Sequence, residues 1–252
     1  MDCARKTFAG EGLGGLYKGA ASPLLGAAIH NAGVFFSYGQ SKRFTGASEK
    51  GAPLSTFWFA GALASIPITV LETPVDLFKI KLQAQVGKGE YAGVIDAGRK
   101  IIGKYGWRGA YQGFNPTMAR NIPCFATYFC FSEAGYRWVN PPDGPTPSTA
   151  RAFLGGLVGG ACAGFGFWGI FYPLETIKSR MQSDAIEVEK RKYSSMLDCA
   201  RKTHAEGGIQ AFYKGYVPAI VRGIPVNAVG PPLPLPPTAF GDLIFYLFDE
   251  KS

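Results

Sequence analysis

Two stretches of the chain carry the same chemistry at the same spacing. One reads PVDLFKIKLQ and supplies Pro74, Asp76, Lys79, Lys81 and Gln83. The other reads PLETIKSRMQ and supplies Pro173, Glu175, Lys178, Arg180 and Gln182. In each, an acid and a base three residues apart share one face of a helix. A proline ahead of them can bend that helix and swing its end inward. The runs leading into them, FWFAGALASIPITVL and FLGGLVGGACAGFGFWGIFYPL, are apolar all round, which reads as membrane span rather than as the half-buried helix of a soluble bundle. Charges at that depth are costly unless they face a cavity or pair with one another. The pattern therefore predicts kinked helices in a ring, the acid of one meeting the lysine of the next and closing one mouth of a central cavity.

A second set of residues points into that cavity. Arg120 and Arg222 each stand inside an apolar stretch, seven residues after a turn glycine and three before a proline (Pro123, Pro225). Gly26 holds the same phase earlier in the chain. An arginine at that depth is suited to fork a carboxylate or phosphate. Asn121 follows the first arginine, and His30-Asn31 stands about one turn past Gly26 on the earlier helix. The expectation is that Arg120 and Arg222 bind a carboxylate while Asn121 and His30 tune the other end of the substrate. With no acid at those two positions, a strongly cationic end looks less well served. His30 has the alternative reading of a polar residue that merely lines the cavity.

Chemistry of other kinds is not encoded. Cys3, Cys124, Cys130, Cys162 and Cys199 form no CxxC pair and no metal-like spacing with His30 or His204. There is no Ser/His/Asp arrangement, GxGxxG or P-loop, so neither an enzyme nor a metal or cofactor is expected. The net charge of +8 fits an anionic membrane, a nucleic acid or an anionic substrate. The basic residues sit at helix ends and amphipathic turns beside apolar spans, which favours lipid headgroups over nucleic acid.

The elements that must position these residues follow from an internal repeat. DCARKT occurs at 2–7 and again at 198–203, and the same offset aligns Tyr17-Lys18-Gly19 with Tyr213-Lys214-Gly215. Asp96, Arg99 and Lys100, then Tyr111-Gln112-Gly113, fall in register between them. One unit thus occurs three times within 252 residues, with copies at 1–50, 51–145 and 146–252. Each unit is read as an apolar helix (56–82, 152–181), a short basic amphipathic helix (94–104, 195–205), a Gly-aromatic turn and a second apolar helix (22–39, 116–138). Glycines such as Gly155, Gly156, Gly159, Gly160 and Gly164 recur about every turn, which allows close helix packing in lipid.

Taken together, the paired motifs and the threefold repeat resemble the mitochondrial carrier family. The Glu11-Gly12 and Tyr17-Lys18-Gly19 turn matches the second half of that family's signature, whereas Tyr105 and Gly207 stand where the acid would be in the other copies. The resemblance runs to about Val229. It implies an all-α membrane protein, a threefold pseudosymmetric barrel with five to six transmembrane helices and short matrix helices, in the mitochondrial inner membrane. It implies that Pro74, Asp76, Lys79, Pro173, Glu175 and Lys178 form a matrix gate, braced by Gln83 and Gln182. Arg120-Asn121 resembles the arginine-plus-polar pair of amino-acid carriers, and MARNIPCFATYF resembles the carnitine/acylcarnitine and basic amino acid branch. The implied function is transport of a small carboxylate-bearing metabolite by alternating access.

Two departures qualify this expectation. The first membrane helix of the family is not in this sequence, which leaves two acid-base members of the gate ring. A Pro-rich run at 230–237 interrupts the sixth helix, since proline cannot continue a regular helix. These departures motivate an alternative, a degenerate carrier that is a structural subunit of an inner-membrane assembly. The expected partners are a small substrate, membrane lipids with cardiolipin among them, and a protein covering the face of the missing helix; nucleic acid is not expected.

Overall fold

The computed structural model describes residues 21–47, 51–83, 91 and 93–229, without the side chains at 21–29, 83, 188, 222 and 225–229. The first-copy signature turn at 11–19 and the Pro-rich run at 230–237 therefore lie outside the described residues. Among the described residues every regular element is helical. The long helices are α1 (Ala21–Thr45), α2 (Leu54–Gln83), α4 (Phe114–Val139) and α5 (Thr149–Gly164). Shorter ones are α3 (Val94–Ala110), α6 (Tyr172–Ser183), α7 (Met196–Gly207) and α8 (Tyr216–Val229). The long helices pack as neighbours in chain order, α1 on α2, α2 on α4, α4 on α5 and α5 on α8. Residues of α1, α4 and α8 also line one shared cavity, so the row curves around an interior.

Helix α2, through Leu82, and the continuous stretch Thr149–Gly169 are long and apolar enough to cross a bilayer. On α2, Leu63, Ile66, Val70 and Leu71 are exposed, while Ala60, Ala64, Ile68 and Leu77 are buried. An exposed apolar face of this kind is stable against lipid rather than water.

Small residues set the helix spacing. A Cβ on Gly61 would lie 2.5 Å from the carbonyl oxygen of Phe125 and 2.9 Å from Cα of Ala126, so α2 touches the α4 backbone directly. On α5, the glycines expected to pack are buried: Gly155, Gly156, Gly159, Gly160 and Gly164. A Cβ on Gly159 would meet the carbonyl of Ser132 at 2.6 Å, and one on Gly135 would meet Cα of Gly159 at 3.0 Å. Gly61→Val is expected to force α2 from α4, at a cost of about 1–3 kcal/mol. A melting temperature in detergent within a degree of the parent would refute that close approach.

The two motif prolines do different things. Pro74 sits inside an unbroken α2. Pro173 opens a new helix, because the expected single helix over 152–181 is divided. After α5 the chain forms a π-helical turn at Phe165–Gly169, bends at Ile170–Phe171 and restarts as α6. The glycines of GFGFWG supply little stiffness, and Pro173 has no N–H for the carbonyl of Gly169. In both repeats a tyrosine hydroxyl takes over the carbonyl that the proline releases. Tyr111 donates to the carbonyl of Val70 at 3.2 Å, four residues before Pro74. Tyr216 donates to that of Gly169 at 3.3 Å, four residues before Pro173. The short helix expected at 94–104 runs on to Ala110 across a break at Gly106, where φ is 66°.

Candidate functional site

The charged motif residues converge where α2, α4 and α6 meet. Lys178 on α6 reaches across to α2, with Nζ 2.8 Å from Asp76 Oδ2 and 3.0 Å from Glu72 Oε1. Its side chain is 4% exposed, so both carboxylates lean on a cation that water barely reaches. The acid of one helix thus meets the lysine of the next, as the spacing predicted for Asp76 and Lys178.

Glu175 does not follow the same rule. Its partner is Arg120 of α4, whose Nη2 lies 2.7 Å from Glu175 Oε2. The N–H does not point at that oxygen, which is left buried without a hydrogen-bond donor. Arg120 Nη1 donates to Asn121 Oδ1 at 2.6 Å and stands 3.5 Å from Glu72 Oε1. Asn121 Nδ2 donates in turn to Glu72 Oε2 at 2.8 Å and to Thr69 Oγ1 at 2.9 Å. The guanidinium also lies over the ring of Phe167, 4.5 Å from its centre, and 5.8 Å from that of Trp168. Arg120 and Asn121, expected as open substrate ligands, are thus tied into the charge network. Both are buried, and a guanidinium out of water must be paired in this way to avoid standing as an isolated charge.

Glu72 is the residue the motif reading missed. It lies one turn before Asp76, so the two carboxylates share a helix face, and it contacts Lys178, Arg120 and Asn121 together. Its signal was available: a lone acid in the apolar run ITVLETP, by the same reasoning that singled out the arginines.

The remaining candidates are placed as follows. Lys79 is exposed and, with His30, lines a second cavity of about 220 Å³ between α1 and α2 that also includes Glu72 and Asp76. His30 opens as well onto the larger cavity of about 310 Å³, together with Asn31. Gln182 is fully buried and donates to Thr117 Oγ1 at 3.1 Å. It thus holds α6 to the start of α4. It lies against the turn at Gly113, where φ is 81° and a Cβ would come 2.6 Å from Gln182 Cγ. Arg222 is on α8 with its side chain outside the described residues, as is that of Gln83 at the end of α2. Among the described residues no cluster of His, Cys, Asp or Glu could hold a metal ion.

Below this network a polar joint ties the second repeat to the third. Gln112 Nε2 donates to the carbonyls of Asp184 at 3.1 Å, Ala185 at 3.1 Å and Met181 at 3.3 Å, capping the end of α6. Lys81 also donates to the Asp184 carbonyl. A basic or amide group is favoured there because the last helical carbonyls lack internal partners. The Asp184 side chain accepts backbone N–H groups of Ala185, Lys192 and Tyr193 at 2.8–3.0 Å. Burial pushes its carboxyl up, but these three bonds outweigh it and hold it below the usual carboxylate range. A lowered value in the folded state gives stability that is complete above the unfolded value of about 3.9 and is lost as pH falls through the folded one. Asp184→Ala is therefore expected to lower the melting temperature at neutral pH and to flatten its fall below about pH 4. Parallel melting curves for parent and variant across that range would refute this role.

The mitochondrial carrier protein family model matches residues 1–49, 51–142 and 149–230. A mitochondrial carnitine/acylcarnitine carrier-like protein of Arabidopsis thaliana is 35% identical over 243 residues, covering 90% of this chain and 79% of that protein. The glutamate/glycine mitochondrial carrier of Schizosaccharomyces pombe is 34% identical over 232 residues, covering 91% and 77%. Solute carrier family 25 member 48 of Homo sapiens is 28% identical over 253 residues, covering 90% and 79%.

Proposed function

Because the chain belongs to the mitochondrial carrier family, we propose that it moves a small carboxylate-bearing metabolite, of amino-acid or carnitine type, across the mitochondrial inner membrane by alternating access. Transport of small metabolites in mitochondria is what the family and its carnitine/acylcarnitine and glutamate/glycine relatives support. The observation that carries the narrower reading is Arg120. It is the one buried guanidinium among the described residues, placed between the aromatic cavity and the charge network. A carboxylate entering from the cavity would compete with Glu175 and Glu72 for its fork, in a site dry enough for that exchange to matter.

In this reading Asp76, Lys178 and Glu72 form the closed matrix gate, with Glu175 joined through Arg120 and Lys79 at its rim. Pro74 lies within the helix that carries Asp76, Pro173 starts the helix that carries Glu175 and Lys178, and Gln182 ties α6 to α4. Arg222, His30 and Asn121 complete the substrate site. The exposed apolar faces of α2 and α5 take the lipid chains, and basic matrix-side residues such as Lys104 and Lys190 meet anionic headgroups, cardiolipin included.

The direct test is saturable uptake of labelled amino acids and acylcarnitines by the purified chain in proteoliposomes. Uptake that a non-carboxylate analogue fails to compete is the expected result. Absence of uptake across both series, by protein that still melts cooperatively, would remove the transport reading.

A further inference from the structure

We propose that a hydrogen-bonded latch across the seam between the second and third repeats is a second lock on the matrix mouth, outside the charge network, and sets how readily the mouth opens; it rests on the transport reading only for the motion that it restrains.

The latch holds the end of α6 and the residues just after it. Gln112 gives its amide to the carbonyls of Met181, Asp184 and Ala185. Lys81 donates to the carbonyl of Ser183 at 3.3 Å and to that of Asp184. Tyr105 donates to Glu187 Oε1 at 3.1 Å, and Lys104 Nζ stands 3.7 Å from the same oxygen. These donors all belong to the second repeat and their acceptors to the third. Helix α6 also carries Lys178, the partner of Asp76 and Glu72 on α2. A movement of α6 that withdraws Lys178 from α2 must therefore part the latch as well.

The third repeat uses the corresponding residues differently. Arg180 holds the place of Lys81 in the motif and pairs within its own repeat, with Glu206 at 2.6 Å. Counted back from the turn tyrosines, Tyr213 and Tyr111, the place of Glu206 is taken in the second repeat by Lys104. Lys81 crosses the seam instead, and Lys104 and Tyr105 turn to Glu187 of the neighbouring repeat.

The chemistry of the seam suits a contact that opens. It consists of hydrogen bonds and an ion pair, and beside it lies a cavity of about 430 Å³ that includes Tyr105, Arg108, Glu187 and Arg191. On opening, such bonds are exchanged for bonds to water at a small net cost for each. An apolar seam would have to expose its whole surface.

The native thiol of Cys124 reports the opening, since it is buried on α4 one turn past Arg120. Cys162, packed on Gly135 near the opposite end of α4, is the control. Alkylation of the purified full chain is followed peptide by peptide. Gln112→Met is expected to raise the Cys124 rate about tenfold and Tyr105→Phe about threefold, the scale of the bonds removed, with Cys162 within about twofold. Gln112→Lys keeps a donor, as Lys214 does at the same place in the third repeat, and is expected to stay within about twofold of the parent at both thiols. Parent rates at Cys124 in both Gln112→Met and Tyr105→Phe would overturn the proposal. So would an equal rise at Cys124 and Cys162, which would make the seam a joint that only holds the fold. The double variant Tyr105→Cys with Glu187→Cys, closed as a disulfide, is expected to stop uptake until dithiothreitol reopens it; undiminished uptake with the disulfide closed would also overturn the latch. Absence of uptake by the parent itself, with the Cys124 differences intact, would instead remove the transport reading and keep the latch.

Discussion

Replacing Lys178 by methionine is expected to destabilise the fold by about 3–5 kcal/mol, because it takes the lysine away from buried Glu72 and half-buried Asp76. Lys178 Nζ is within 3.0 Å of both Glu72 and Asp76. The loss should appear as a lower melting temperature of the detergent-solubilised protein. It should also appear as easier labelling of a cysteine placed behind the gate. A charge-conserving Lys178→Arg should retain most of the stability. The double variant Lys178→Met with Glu72→Gln should recover part of it, since it removes one stranded charge. A Lys178→Met protein that melts like the parent would show that the pair is not under strain of desolvation and would undo the gate assignment.

Arg120→Ala carries the second large effect. Truncation removes the one buried fork among the described residues and leaves Glu175, Glu72 and Asn121 facing a void. Loss of a buried, hydrogen-bonded charge partner costs about 2–5 kcal/mol, so uptake at low substrate should fall about 30- to several-thousand-fold. Arg120→Lys keeps the charge but cannot fork, and is expected to restore stability more fully than uptake. Wild-type uptake by a folded Arg120→Ala protein would sink the assignment of the substrate site. Stability lost without any change in substrate preference would make Arg120 a structural member of the network only.

The two predictions concern residues that were readable in the sequence for different reasons. Asp76 and Lys178 stood out because a repeat placed them at the same phase, and their pairing across helices follows from helical geometry and the cost of an unpaired charge in an apolar setting. Glu175 had the same credentials, yet its partner is Arg120. Nothing in the spacing of PLETIKSRMQ could show that α5 ends early and α6 starts afresh at Pro173, or that the guanidinium of α4 would lie within reach. Glu72 was visible as a lone acid, but only its position one turn from Asp76, opposite Lys178, makes it a member of the charge network.

By itself the sequence determined what is local or repeated: the apolar spans, the threefold unit, the acid and base faces, the glycines that allow α5 to lie on α4, and through these the family. Such features depend on residue type and period, which fold into the same local form wherever they occur. Only the tertiary structure decided which charge neutralises which, how the π turn presents Phe167 and Trp168, and how Tyr111 and Tyr216 cap the carbonyls released by the prolines. Those depend on contacts between residues about 40 to 106 positions apart, where a shift of one helical turn would substitute one partner for another.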